Sequence, residues 1–152
     1  MIFFKHACIA ALASLLTLSA HAGAWGEGAF DNDAAQDFLA ECTRSAEAEL
    51  VSQAIELALV ASFVDADDGA AAVAAGEAIA GALGSSAAPR TKVVPCLAAM
   101  PREQLRALAP GAVRAVERVA DPAVSELAQQ WADEKPNRWS IGMRQLAARL
   151  RR

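Results

Sequence analysis

The first residues able to do chemistry are the acids of "GAWGEGAFDNDAAQD", residues 23–37. Asp31, Asn32, Asp33 and Asp37 bring four oxygen-bearing side chains into one short stretch. Such clusters bind hard cations such as calcium. The same residue types also cap helices, since a side-chain oxygen accepts from the free N–H groups of a first turn and favours the positive end of the dipole. Capping accounts for the stretch without a metal: Asp31 or Asp33 starts a helix, and Gln36, three residues after Asp33, completes a loose capping box. Trp25, set among Gly23, Gly26 and Gly28, is a large anchor on a flexible chain. It is expected to plug one end of the fold together with Phe30; the alternative is a ligand-binding loop.

Two other acidic features invite a reading. "DADDG" (65–69) resembles the opening of a calcium loop, which needs a glycine sixth and a glutamate twelfth. Here the glycine is fifth and Gly76 is twelfth, with Glu77 one position late. A solvated turn is expected, and no metal or cofactor is assigned. Glu77 stands alone in an Ala/Gly run. Its neighbours on a helical wheel, Val73, Ala74, Ala80 and Gly81, are mostly small, while Ile79 and Leu83 point nearly the other way. That pattern places Glu77 at the surface or at a small-residue contact.

Both histidines of the full chain, His6 and His21, lie in its first 22 residues. Those residues read as an export signal: Lys5 and His6, an apolar run from Ala7 to Leu18, then Ala20-His21-Ala22 before a cut between Ala22 and Gly23. The run is shorter than the about 20 residues that span a bilayer. Cys8 lies at the start of the run, far from the cut, and so is no lipid-attachment cysteine. After the cut, 130 residues remain, with no histidine, no tyrosine and two cysteines, Cys42 and Cys96. A Ser-His-Asp triad, a Cys-His pair and a His-ligated metal are therefore excluded. In a periplasmic or secreted compartment the two cysteines read as one disulfide, closing a loop that would contribute roughly 4 kcal/mol in the chain-entropy model.

The elements that must position these residues are helical. No period-two alternation is present, and Gly and Pro fall between apolar-periodic segments. Phe38, Cys42 and Ala46 share a stripe on the first helix. "ELVSQAIELALVASFV" (49–64) becomes apolar on every side beyond Glu56, as a helix at the centre of a bundle would. The Ala/Gly run forms a third helix. Leu105, Leu108, Ala112, Val116 and Val119 form a stripe in the next, with Arg102, Arg106, Arg114 and Arg118 off it and Pro110 kinking it or opening a new one. Asp121-Pro122 should launch a helix presenting Val124, Leu127 and Trp131. Trp139, Met143, Leu146 and Leu150 share the last. The expectation is an all-α fold: one domain over 23–152, a single compact bundle of five to six helices without a sheet.

Charge divides by position. Residues 23–89 carry 12 acids and one base, and residues 90–152 carry 12 bases and 6 acids. Either the halves dock on each other, or they present separate acidic and basic faces to a partner. Nucleic acid is not an expected partner, because the basic half lacks interleaved aromatics and the whole chain is acidic. The even arginine spacing suits a solvated helix surface better than a lipid-binding face.

"GAWGEGAFDNDAAQDFL" resembles the opening of the bacterial family catalogued as domain of unknown function 4259, with its Gly-Trp-Gly and Phe-Asp-Asn-Asp signature. The residues concerned are Gly23, Trp25, Gly26, Gly28, Phe30, Asp31, Asn32 and Asp33. "AAGEAIAGALG" around Glu77 is similar to its alanine-rich helix. "SELAQQW", with Ser125, Glu126, Leu127 and Trp131, followed by Trp139, is similar to its C-terminal half. Phe38 stands where a tryptophan is usual. The resemblance implies a shared helical domain and lends no activity. The expected function is a non-catalytic module, of inhibitor or immunity type, that binds a protein partner in the envelope or outside the cell through its acidic face or a tryptophan-rich end. A carboxylate-dependent enzyme on envelope glycan is the alternative, needing two carboxyls about 5–9 Å apart across a cleft. An acidic calcium-binding protein is the third.

Overall fold

Asn32, rather than either neighbouring aspartate, starts the first helix. Its Oδ1 accepts from the backbone N–H of Ala35 at 2.7 Å, and α1 runs Asp33–Ser45. Gln36 closes no capping box, because its amide donates instead to the Phe30 carbonyl at 2.6 Å. The computed structural model describes residues 24–45, 47–84 and 95–152, with side chains in the last segment from Leu97 onward. The export segment, the proposed cut between Ala22 and Gly23, Ala46 and the Cys96 side chain lie outside the described residues.

Helix α2 spans Glu49–Val60. Asp65 caps α3, Ala66–Ala82, by accepting from Asp68 N–H at 2.8 Å. Gly84, at φ +88°, terminates it in the left-handed conformation open to glycine. A single turn, α4, covers Pro95–Ala98. Helix α5, Arg102–Val119, continues through Pro110, so the proline opens no new helix.

The next helix begins later than the Asp-Pro pair suggests. Asp121 accepts from Ala123 N–H in a turn, and Ser125 caps the short α6, Glu126–Gln130. Ser125 is held in place by Val64, which exchanges backbone bonds with Val124 and Glu126 at 2.8 and 2.9 Å. Asn137 caps α7, Arg138–Leu150. There Trp139, Met143, Leu146 and Leu150 are all buried, as their spacing predicts. The fold is all-α: five long helices and two short ones, with no strand among the described residues.

Helix α3 is the centre, packed against each of the other six. Ala72 through Ala80 are buried without interruption, so no side of that stretch of the helix faces water. Side-chain size explains it. A Cβ on Gly76 would meet Val116 at 3.1 Å, and one on Gly69 would meet Val119 at 3.3 Å. Only small residues let neighbours approach so closely on every side. The central place expected for α2 is thereby corrected: Leu57, Val60 and Phe63, on α2 and just beyond it, are exposed, Val60 by 70%.

Candidate functional site

The glycine-tryptophan opening is a self-bonded clamp. The Asp31 carbonyl accepts from both Trp25 N–H (3.0 Å) and Gly26 N–H (3.1 Å), and the Asp31 carboxylate accepts from Gly28 N–H at 3.1 Å. A Cβ on Gly26 or Gly28 would lie 2.7 or 2.5 Å from that carboxylate. The glycines are thus required by close approach. Phe30 is buried against Ala35 and Ala74, on α1 and α3, and plugs the fold as expected.

Trp25 does not plug it. It is 62% exposed, its indole N–H donating to Asp33 Oδ1 at 3.2 Å. Nor is there a tryptophan-rich end, since Trp131 and Trp139 are both buried. The reason lies in the tight clamp: it turns Phe30 inward while carrying Trp25 back across the mouth of α1. Asp37 is exposed further along α1 and joins none of these bonds. The opening meets the "SELAQQW" segment at a cleft shared by Asn32, Asp33, Asp67, Leu127 and Gln130. Glu126 accepts there from Ala66 N–H at 3.0 Å, satisfying a first-turn donor of α3. The cleft holds about 30 Å³, room for a water rather than a sugar ring. Among the described residues, no group of three or more acidic, cysteine or histidine side chains is placed to hold a metal ion. Burial, then the charges of Asp65 and Asp67, pushes the Asp68 carboxyl above the usual carboxylate range.

Glu77 departs furthest from expectation. It is 5% exposed and pairs with Arg149 of α7, Nη2 to Oε2 at 2.5 Å. Because α3 is enclosed all round, its small-residue face is as buried as its bulky one, and an ionised side chain there needs a countercharge. Arg149 Nε is itself buried and lacks a hydrogen-bond partner among the described residues.

Other arginines of the basic half serve helix ends in the acidic half. Neither α2 nor α3 has a base in its last turn. Arg118 donates to the Ala61 and Ser62 carbonyls beyond α2, and Arg102 donates to the Leu83 carbonyl beyond α3 at 3.1 Å. These bonds satisfy orphan carbonyls and suit the negative helix ends. Sequence reasoning missed all three arginine roles, although the absence of a base at both helix ends was a visible signal.

Two larger concavities flank α5. One, of about 570 Å³, is lined by Arg102, Arg106, Arg149, Arg151 and Arg152 around apolar walls from α3, α5 and α7. The other, about 540 Å³, is a groove between α2 and α5 lined by residues including Ile55, Glu56, Val60, Leu108 and Arg114. Cys42 is fully buried on α1, which packs against α4, the helix carrying Cys96. No helix among the described residues is long and apolar enough to cross a membrane.

A helical bundle opened by a glycine-tryptophan clamp and closed by a Ser-capped segment against it defines the class. The family model described as "Domain of unknown function (DUF4259)" matches residues 23–140, and the chain belongs to that family. No curated protein and no solved structure matches it significantly.

Proposed function

We propose that the protein is a non-catalytic, exported interaction module, of inhibitor or immunity type, that binds a protein partner through α2. The observation that carries this reading is the unpartnered face of that helix. Leu57 and Val60 expose apolar surface three residues apart on the helix, and Phe63 is exposed just beyond its end. Glu49 and Glu56 stand exposed on the same helix. Apolar side chains beside acids of the same helix call for a partner that offers apolar anchors and bases to meet Glu49 and Glu56. The groove beside Val60 gives such anchors a place to enter. Export by the leader, cut after Ala22, and a Cys42–Cys96 disulfide belong to the same proposal. Burial of Cys42 and the packing of α1 on α4 support the disulfide; a mature protein lacking the loss of two hydrogens by mass spectrometry would remove it.

The test is a paired capture. Residues 23–152 and the same chain carrying Leu57→Gln and Val60→Ser are used as bait in envelope and secreted extracts. A stoichiometric protein held by the native bait, lost from the variant and eluted by rising salt supports the reading. Equal recovery on both baits, or no protein on either, overturns it.

A further inference from the structure

The arginine-lined cavity is separate from the α2 face and asks for a different ligand. Its five arginines come from the two ends of the basic half, Arg102 and Arg106 from the first turns of α5, Arg149, Arg151 and Arg152 from the end of α7. Among the described residues, no aspartate or glutamate side chain lines it. Arg102, Arg106 and Arg152 form no ion pair among the described residues, and their like charges repel each other unless an anion joins them.

Three of the five are already held in place. Arg102 is tied to the Leu83 carbonyl, Arg149 to buried Glu77, and Arg151 to Glu117. Fixing them inside the protein lowers the ordering cost of binding. Arg106 and Arg152 are exposed and form no ion pair among the described residues. Between the guanidinium groups the wall is apolar, from Pro110, Val113 and Leu150. A volume of about 570 Å³ is that of a small-ligand site.

We propose that this cavity binds a phosphate monoester or diester carrying an apolar chain. The phosphate would accept from more than one guanidinium fork, which that geometry favours over a single carboxylate, and the chain would cover the apolar wall. The ligand's source is either a soluble alkyl phosphate or the headgroup region of an anionic lipid.

Calorimetric titration of residues 23–152 with octyl phosphate tests this, with octyl glucoside and inorganic phosphate as probes of each half of the ligand. Octyl phosphate is expected to bind, inorganic phosphate roughly tenfold more weakly or less, and octyl glucoside not measurably. Arg106→Gln with Arg152→Gln should weaken octyl phosphate by roughly tenfold or more. Both residues are exposed, so the variant should melt with the native protein. Cosedimentation with phosphatidylglycerol vesicles but not phosphatidylcholine ones would assign the lipid source; octyl phosphate binding without vesicle binding would assign the soluble one. No binding of octyl phosphate up to millimolar concentration, equal binding of octyl glucoside, or an unchanged affinity in the double variant would overturn the proposal.

Discussion

Helices α2 and α3 are both rich in apolar residues, yet one lies at the surface and the other is enclosed. Helix α2 buries Val51, Ala54, Ile55 and Ala58 along one side and exposes Leu57 and Val60 on another. Helix α3 buries a continuous run from Ala72 to Ala80. The larger side chains lie on the peripheral helix. What decides the centre of this bundle is how closely neighbours can approach, and glycine and alanine permit the approach that leucine and valine prevent. The large residues left outside on α2 then become available to a partner.

Four single substitutions and one double variant test how deep this contrast runs. Glu77→Ala should have the largest effect, since it leaves Arg149 largely buried without its countercharge. A loss of roughly 3 kcal/mol is expected, the low end for a broken buried pair because Arg149 retains some access to water. Urea unfolding would measure it. Pairing Glu77→Leu with Arg149→Met should recover much of the loss; failure to recover would mean that the ion pair contributes beyond mutual neutralisation. Gly76→Val comes next. Val116 already lies 3.1 Å from where a Cβ would sit, and overpacking there should cost about 1–3 kcal/mol. A neutral result would show that α3 is less tightly enclosed than its neighbours' positions imply.

Asp68→Asn should stabilise slightly at neutral pH, first by removing a partly desolvated charge and then by relieving repulsion with Asp65 and Asp67; solvent screening keeps the gain to about 0.2–0.5 kcal/mol. The sign follows from linkage. A carboxyl with a raised folded-state pKa keeps its proton more readily in the folded protein, so stability falls as pH rises through the window just above the ordinary value of 3.8. Below that window the difference in melting temperature between native and variant should vanish. Smallest of all, Leu57→Gln on α2 should change stability by no more than about 0.5 kcal/mol, while reducing partner capture. A large loss of stability would place α2 with α3 and break the comparison.

Much of the fold was legible because periodicity reports which residues share a face. The stripe on α7 emerges as written, that on α5 does so except for the half-buried Leu108, and Phe30 is buried. Periodicity says nothing of which helix will be surrounded, so the sequence alone puts α2 in the place that α3 occupies. Spacing was equally silent about partners distant along the chain: Arg149 is 72 residues from Glu77, and Arg118 is 57 from Ala61. Capping residues were recognisable as a type, but choosing among Asp31, Asn32 and Asp33 required knowing that the Asp31 carboxylate is occupied by Gly28 N–H. Likewise, Ser125 prevailed over Asp121-Pro122 because Val64 pairs across the intervening turn, a contact between segments about sixty residues apart.

The two arginines that serve the ends of α2 and α3 sit at opposite ends of one helix. Arg102 and Arg118 are sixteen positions apart on α5, about 24 Å along its axis. That helix therefore acts as a measuring rod, setting how far apart the two helix ends stand and at what relative rotation. Inserting one residue near Ala112 would lengthen it by about 1.5 Å and turn one end against the other by about 100°. Arg102 and Arg118 could then no longer both reach their carbonyls. The length of α5 is thus fixed by two bonds made outside it, and the acidic half of the chain takes its spacing from the basic half.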